Sequence, residues 1–117
     1  MPMRELTIDN YRIHDKGECF IVAEIGNNHQ GDLEKAKALI RRAKDCGVNA
    51  VKLQKRDNKS LYSEEMYNKP YEHENSFGRT YGEHREFLEF DREEYLELKR
   101  YCRELGITFF ATVFDFT

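Results

Sequence analysis

The stretch that decides the fold is Asp32-Leu-Glu-Lys-Ala-Lys-Ala-Leu-Ile-Arg-Arg-Ala-Lys-Asp-Cys-Gly47, followed at once by Val48-Asn-Ala-Val-Lys-Leu-Gln54. Asp32 is a good helix N-cap, because its carboxylate can accept from an unpaired backbone N–H of the first turn. Ala36, Ile40 and Ala43 recur at helical spacing, and Leu33 and Leu39 widen the apolar stripe. Arg41, Arg42 and Lys44 lie where cations suit the helix dipole, and Gly47 is a natural terminator. The reading is a helix over 32–46 and then a strand, Val48–Gln54. The same unit returns later. Asp91 to Gly106 has the same separation as Asp32 to Gly47, 15 residues, and again an apolar, β-rich run follows, Ile107–Phe114.

Outward from this repeat, Asp91 and Glu94 have capping-box spacing, and Phe90 and Tyr95 occupy the places of a hydrophobic staple. Tyr95, Leu98, Cys102 and Leu105 form the second helix's stripe. Upstream, Phe20–Ile25 is near-continuously apolar, as suits a strand covered on both faces. Leu6–Ile13 and Glu18–Ile21 read as strand-like pieces around a weak turn at Asp15-Lys16-Gly17, an N-terminal hairpin. Residues 55–90 read as a long polar loop, and loops beyond ~12–15 residues are usually functional or disordered. Strand, helix, strand, helix, strand implies an α/β fold with parallel strands and right-handed crossovers.

Composition bounds the class. The 117 residues carry a net charge of −3 with scattered basic residues, which lacks the footprint of a nucleic-acid binder. Hydrophobic residues make up 39%, below the roughly 45–50% of ordinary domains. The core is lean and expected to need a partner or more chain. No run approaches the ~18 apolar residues of a membrane helix, and the N-terminus shows no signal-peptide core. Cys19, Cys46 and Cys102 are widely spaced and odd in number. They read as free, buried thiols in a reducing cytosol, so the expected location is cytoplasmic.

In parallel α/β folds, sites lie at the C-terminal ends of strands. Alternation sends Val51 and Leu53 toward the helices and Ala50, Lys52 and Gln54 the other way. Ile21, Ala23 and Ile25 are likewise expected against the helices, with Glu24 facing inward. A Glu and a Lys buried on neighbouring strands are costly unless paired or used. Two readings follow: a Glu24–Lys52 ion pair that only sets strand register, or a functional pair.

These residues carry a resemblance. Phe20-Ile-Val-Ala-Glu-Ile-Gly-Asn-Asn-His-Gln-Gly-Asp32 resembles the opening of the sialic acid synthase family, the phosphoenolpyruvate-dependent N-acetylneuraminate synthases. Ala50-Val-Lys-Leu-Gln54 resembles that family's second strand, and Gly106-Ile-Thr-Phe-Phe-Ala-Thr-Val-Phe-Asp115 its third. Thr80-Tyr-Gly-Glu-His-Arg-Glu86 resembles a loop element of many members. The likeness covers residues 18–117 and departs at Val113, where Pro is usual.

The resemblance implies a (β/α)8 TIM barrel that condenses phosphoenolpyruvate with an N-acetylated hexosamine to a nonulosonic acid and phosphate. Such a barrel needs roughly 250 residues. Residues 1–117 are therefore expected to be its N-terminal part, a hairpin plus about three βα units. The family's divalent metal, Mn or Mg, has its histidine ligands on later strands, so no metal is assigned to this chain. The antifreeze-like domain that helps bind sugar in a homodimer also lies outside it. By the resemblance, Lys52 contacts the carboxylate or phosphate of phosphoenolpyruvate and Thr112 donates to its phosphate. Glu24 binds a sugar hydroxyl or orients water, and Gln54, Asn28 and His29 contact substrate. Tyr81, His84 and Arg85 either form a lid or belong to an ordered structural loop. His29 could instead cap the following helix, and His14 and His73 read as surface residues. A related condensing synthase acting on a sugar phosphate would need a second cationic cluster, which these residues do not show. A non-catalytic, partner-binding α/β piece is the remaining alternative.

Overall fold

The computed structural model describes residues 2–117. The described residues form five strands and five helices, and four of the helices lie between the last two strands. Strands β1 (Glu5–Ile8) and β2 (Tyr11–His14) pair antiparallel. Strands β3 (Val22–Gly26), β4 (Ala50–Lys55) and β5 (Thr108–Val113) form one parallel sheet with β4 in the middle. The two crossovers contain helices α1 (Leu33–Asp45) and α5 (Arg92–Leu105).

Local chemistry accounts for both long helices. Asp32 caps α1 by accepting from the Lys35 N–H at 3.1 Å. Asp91 and Glu94 complete a reciprocal capping box on α5. Gly47 and Gly106 take left-handed φ values of +87° and +74°, which L side chains resist. Ile40, Leu98, Val51 and Leu53 are fully buried between helices and sheet, with Ile25, Phe90, Cys102 and Ile107 around them. Burial of each such side chain contributes roughly 1.5–3 kcal/mol. Phe90 and Tyr95 meet edge to face, 6.3 Å apart, as a staple requires.

The structure corrects several sequence expectations. The hairpin turns at Asp9-Asn10, not at Lys16-Gly17. Asp9 sits at φ +51°, which its short polar side chain tolerates, and its carboxylate accepts from the Thr108 hydroxyl at 2.5 Å. That bond ties the hairpin beneath the first residue of β5. Ile21 precedes β3 and is exposed rather than packed on the helices. Cys19 and Cys46 are exposed; only Cys102, on the inner face of α5, is buried. His14 is half-buried against its own turn, where its ring accepts from the Lys16 N–H.

Residues 55–90 are not a structureless loop. They contain α2 (Asn58–Leu61), α3 (Glu64–Tyr67) and α4 (Tyr81–Leu88). Asp57, Ser63 and Thr80 cap these three helices in turn. The loop reading failed because each piece is too short to show periodicity.

Candidate active site

β4 places Lys52 and Gln54 on the sheet face opposite the helices, as alternation requires. Lys52 Nζ lies 2.7 Å from Glu24 Oε2 and donates to Thr112 Oγ1 at 2.5 Å. Glu24 stands directly across from Lys52 on β3, while Thr112 lies across from Gln54 on β5. The lysine thus leans toward the C-terminal ends of the strands. Its side chain is 28% exposed and that of Glu24 is 43% exposed, so the pair is open, not buried as expected. An ion pair this wet contributes ~0–1 kcal/mol.

Gly26 ends β3 at φ +57°, with an irregular register between Glu24 and Gly26. A Cβ there would lie 3.4 Å from Glu24 Oε1, 3.8 Å from Gln54 Nε2 and 3.9 Å from Asn28 Nδ2. Glu24, Gln54 and Asn28 therefore converge around a backbone that leaves space for them. Asn28 is steadied by donating to the Ile25 carbonyl at 2.9 Å. The Tyr95 hydroxyl donates to the Gln54 carbonyl at 2.7 Å and fixes that strand end from the helix side. Burial drives the Tyr95 phenol well above its usual range, so it remains a donor.

His29 does not line this face. Its ring is 1% exposed and stacks on Phe90 at 4.0 Å. Nδ1 accepts from the Gly31 N–H at 3.0 Å, so the ring serves the turn before α1. Burial lowers its pKa to about 4, against a small opposing pull from Asp32. His84 is likewise buried, and its Nδ1 accepts from the Phe77 N–H at 3.2 Å amid Tyr71, Phe77 and Tyr81. It holds the segment before α4 in place.

Tyr81 and Arg85 face elsewhere. Arg85 Nε donates to the Tyr81 hydroxyl at 2.9 Å. Burial works to raise the Tyr81 phenol, but the Tyr62 hydroxyl and the Arg85 guanidinium outweigh it and hold the group below its ordinary value. With its amide oxygen turned to the two guanidiniums, Asn27 accepts from Arg56 at 3.1 Å and from Arg85 at 3.2 Å. That orientation follows from the hydrogen-bond network.

Sequence reasoning missed Asn27, Arg56 and Tyr95 as site residues. Arg56 had a signal: it continues the alternation Ala50, Lys52, Gln54 by one more step. Asn27 adjoins Gly26 but gave no sign of which neighbours it would join. Tyr95 was visible only as an apolar stripe residue. Among the described residues, no group of three or more His, Cys, Asp or Glu side chains could hold a metal ion. No helix there is long and apolar enough to cross a membrane.

A family model described as the NeuB family matches residues 39–117. The chain is 48% identical over 97 residues to the N-acetylneuraminate-9-phosphate synthase of Homo sapiens, covering 83% of this chain and 27% of that protein. It is 38% identical over 98 residues to the N,N'-diacetyllegionaminic acid synthase of Legionella pneumophila, covering 83% of this chain and 28% of that protein. Its structure is similar to the N-acetylneuraminic acid synthetase of Leptospira borgpetersenii, with a TM-score of 0.74 and 32% identity over 97% of this chain and 35% of that one. The chain spans about a quarter of the length of the curated N-acetylneuraminate-9-phosphate synthases it matches.

Proposed function

The chain belongs to the NeuB family, and on that premise we propose that it is the N-terminal part of a (β/α)8 barrel synthase. The reaction joins phosphoenolpyruvate to an N-acylated hexosamine of the N-acetylmannosamine type, giving a nonulosonic acid and phosphate. The observation that carries this reading is Lys52, held between Glu24 and Thr112 at the C-terminal ends of three parallel strands.

In this reaction carbon 3 of phosphoenolpyruvate bonds to the aldehyde carbon of the open-chain sugar. Water then adds at the electron-poor carbon 2, and phosphate leaves with cleavage of the carbon 2–oxygen bond. Lys52 supplies a fixed cation for the most anionic part of phosphoenolpyruvate, and its preorganisation favours the charge-bearing transition state. Thr112 donates its hydroxyl beside it. Glu24, an acceptor when ionised, positions a sugar hydroxyl or the water. Gln54 and Asn28 orient the same ligands, with Gln54 pinned from behind by Tyr95. The described residues do not fit a metal site. A Mn or Mg ion would polarise the aldehyde, held by ligands from outside this chain. A cytoplasmic homodimer completes the proposal.

The test is phosphate release by the full-length protein supplied with phosphoenolpyruvate, Mn or Mg, and an N-acylhexosamine. Release that requires the aminosugar, with a nine-carbon keto acid formed in equal amount, supports the reading. Absence of both products across N-acetylmannosamine, its 6-phosphate and diacetylated analogues overturns it.

A further inference from the structure

The turn that follows β3 is held from outside itself. Gly26, Gln30 and Gly31 all take left-handed φ values, +57°, +55° and +74°. A non-glycine residue there costs about 1–2 kcal/mol, and such strain persists only where surrounding contacts over-determine it. Within the turn, the Asn28 N–H donates to the Ile25 carbonyl at 3.1 Å and the Gln30 N–H to the Asn27 carbonyl at 3.0 Å. These bonds close the turn on itself without fixing where it stands over the strand ends. Asn28, which converges with Glu24 and Gln54 around Gly26, is carried by this turn.

The external tie is the Asn27 side chain, whose oxygen accepts from Arg56 at 3.1 Å and from Arg85 at 3.2 Å. Arg56 directly follows β4 and is 7% exposed, with its guanidinium 3.8 Å over the Phe114 ring. Arg85 belongs to α4 and is itself aimed, because its Nε donates to the Tyr81 hydroxyl one helical turn earlier at 2.9 Å. Among the described residues, no carboxylate pairs with either guanidinium, so the amide is the acceptor they share. The two donors come from different elements. Together they fix the turn relative to both β4 and α4, whereas one alone would leave it free to pivot.

We propose that Arg85 is a positioning residue: with Arg56 it clamps the Asn27 amide and so sets the turn that presents Asn28 beside Glu24 and Gln54. This rests on the proposed synthase reading and deepens it, because it makes the long connection after β4 part of the site without any contact to substrate. Ordering of the β3 turn then depends on the folding of α4. A group that orients reactants acts mainly on the transition state, and a displacement of about 1 Å can cost about 100-fold in rate.

The experiment uses the full-length protein and its Asn27→Ala, Arg85→Gln, Arg85→Lys and combined Asn27→Ala/Arg85→Gln variants. Condensation kinetics with phosphoenolpyruvate and an N-acylhexosamine are measured beside hydrogen exchange read by mass spectrometry. Asn27→Ala and Arg85→Gln should each lower kcat by about 10–100-fold, with far smaller changes in either Michaelis constant, and Arg85→Lys should recover part of the loss. The combined variant should be no worse than Asn27→Ala, since both changes remove one interaction. Exchange across residues 25–31 should quicken in Asn27→Ala and Arg85→Gln while α5 exchanges as in wild type. Additive losses in the combined variant, or unchanged exchange at 25–31 in Arg85→Gln, overturn the proposal. So does a Michaelis constant that rises in Arg85→Gln but not in Asn27→Ala, which would put the guanidinium on substrate. If wild type condenses no sugar while exchange at 25–31 still follows Arg85 and Asn27, the synthase reading falls and the clamp stands.

Discussion

Lys52 and Glu24 stand directly across from each other on adjacent parallel strands, with Nζ 2.7 Å from the carboxylate. The same nitrogen reaches Thr112 on the other neighbour, so one cation bridges the three strand ends. This pairing is where a register-setting role and a ligand-binding role make different predictions.

Lys52→Met keeps the length and removes the charge. If Lys52 holds phosphoenolpyruvate, losing one charge-assisted contact costs ~1.5–3 kcal/mol, or about 10–150-fold in affinity. The Michaelis constant for phosphoenolpyruvate should rise by that factor in the full-length protein, with a smaller change for the aminosugar. Stability should drop by no more than ~1 kcal/mol, since the pair is half-exposed. A melting point many degrees lower with unchanged phosphoenolpyruvate kinetics would assign Lys52 to register alone.

Gly26→Ala tests the convergence of Glu24, Gln54 and Asn28. The position has φ +57°, and a left-handed alanine costs about 1–2 kcal/mol. Its Cβ would stand 3.4 Å from Glu24 Oε1, an ordinary contact, so the cost comes from the backbone. The expected result is a modest loss in urea midpoint with a larger loss in kcat/KM. Wild-type kinetics in a destabilised Gly26→Ala protein would remove this turn from the site.

His29 makes stability depend on pH. Its pKa is lowered from 6.5 to about 4 in the folded chain by burial. Below 6.5 the unfolded state therefore binds the proton more readily than the native state. Stability is full above about pH 6.5, declines as pH falls, and levels off below about 4. At ~1.4 kcal/mol per pH unit of depression, the loss is of order 3 kcal/mol. Urea titrations at pH 7 and pH 4.5 should show a smaller acid loss in His29→Gln than in wild type, although the variant starts less stable. Parallel acid losses in the two proteins would contradict this.

The three thiols should differ in reactivity. Burial raises Cys102 to about 12, which leaves almost no thiolate at neutral pH. Cys19 and Cys46 are exposed. Mass spectrometry after brief alkylation of the native protein should find label on Cys19 and Cys46, with Cys102 labelled only after denaturation. Rapid native labelling of Cys102 would mean that α5 opens from the sheet.

Much of this architecture was legible in the chain itself. Asp32, Gly47, Asp91 and Gly106 delimit their helices by interactions within a few residues. The alternation of Val51 and Leu53 with Lys52 and Gln54 needs only the period of a strand. Those signals are local, so they survive without knowledge of the fold. Glu24, Lys52 and Thr112 were also legible, because parallel crossovers bring successive strand ends side by side.

What the tertiary structure decided depends on contacts between distant residues. His29 left the open face because Phe90, on the far side of the long connection, offered a stacking partner and a dry pocket. The turn settled at Asp9 because Thr108 could donate to its carboxylate, a contact spanning nearly the whole chain. Arg56 and Arg85 became a pair only when α4 folded back over the end of β4 and Asn27 stood between them. A lone basic residue in a polar stretch looks like solvated surface in a sequence. Only three-dimensional proximity gives two such residues one shared acceptor.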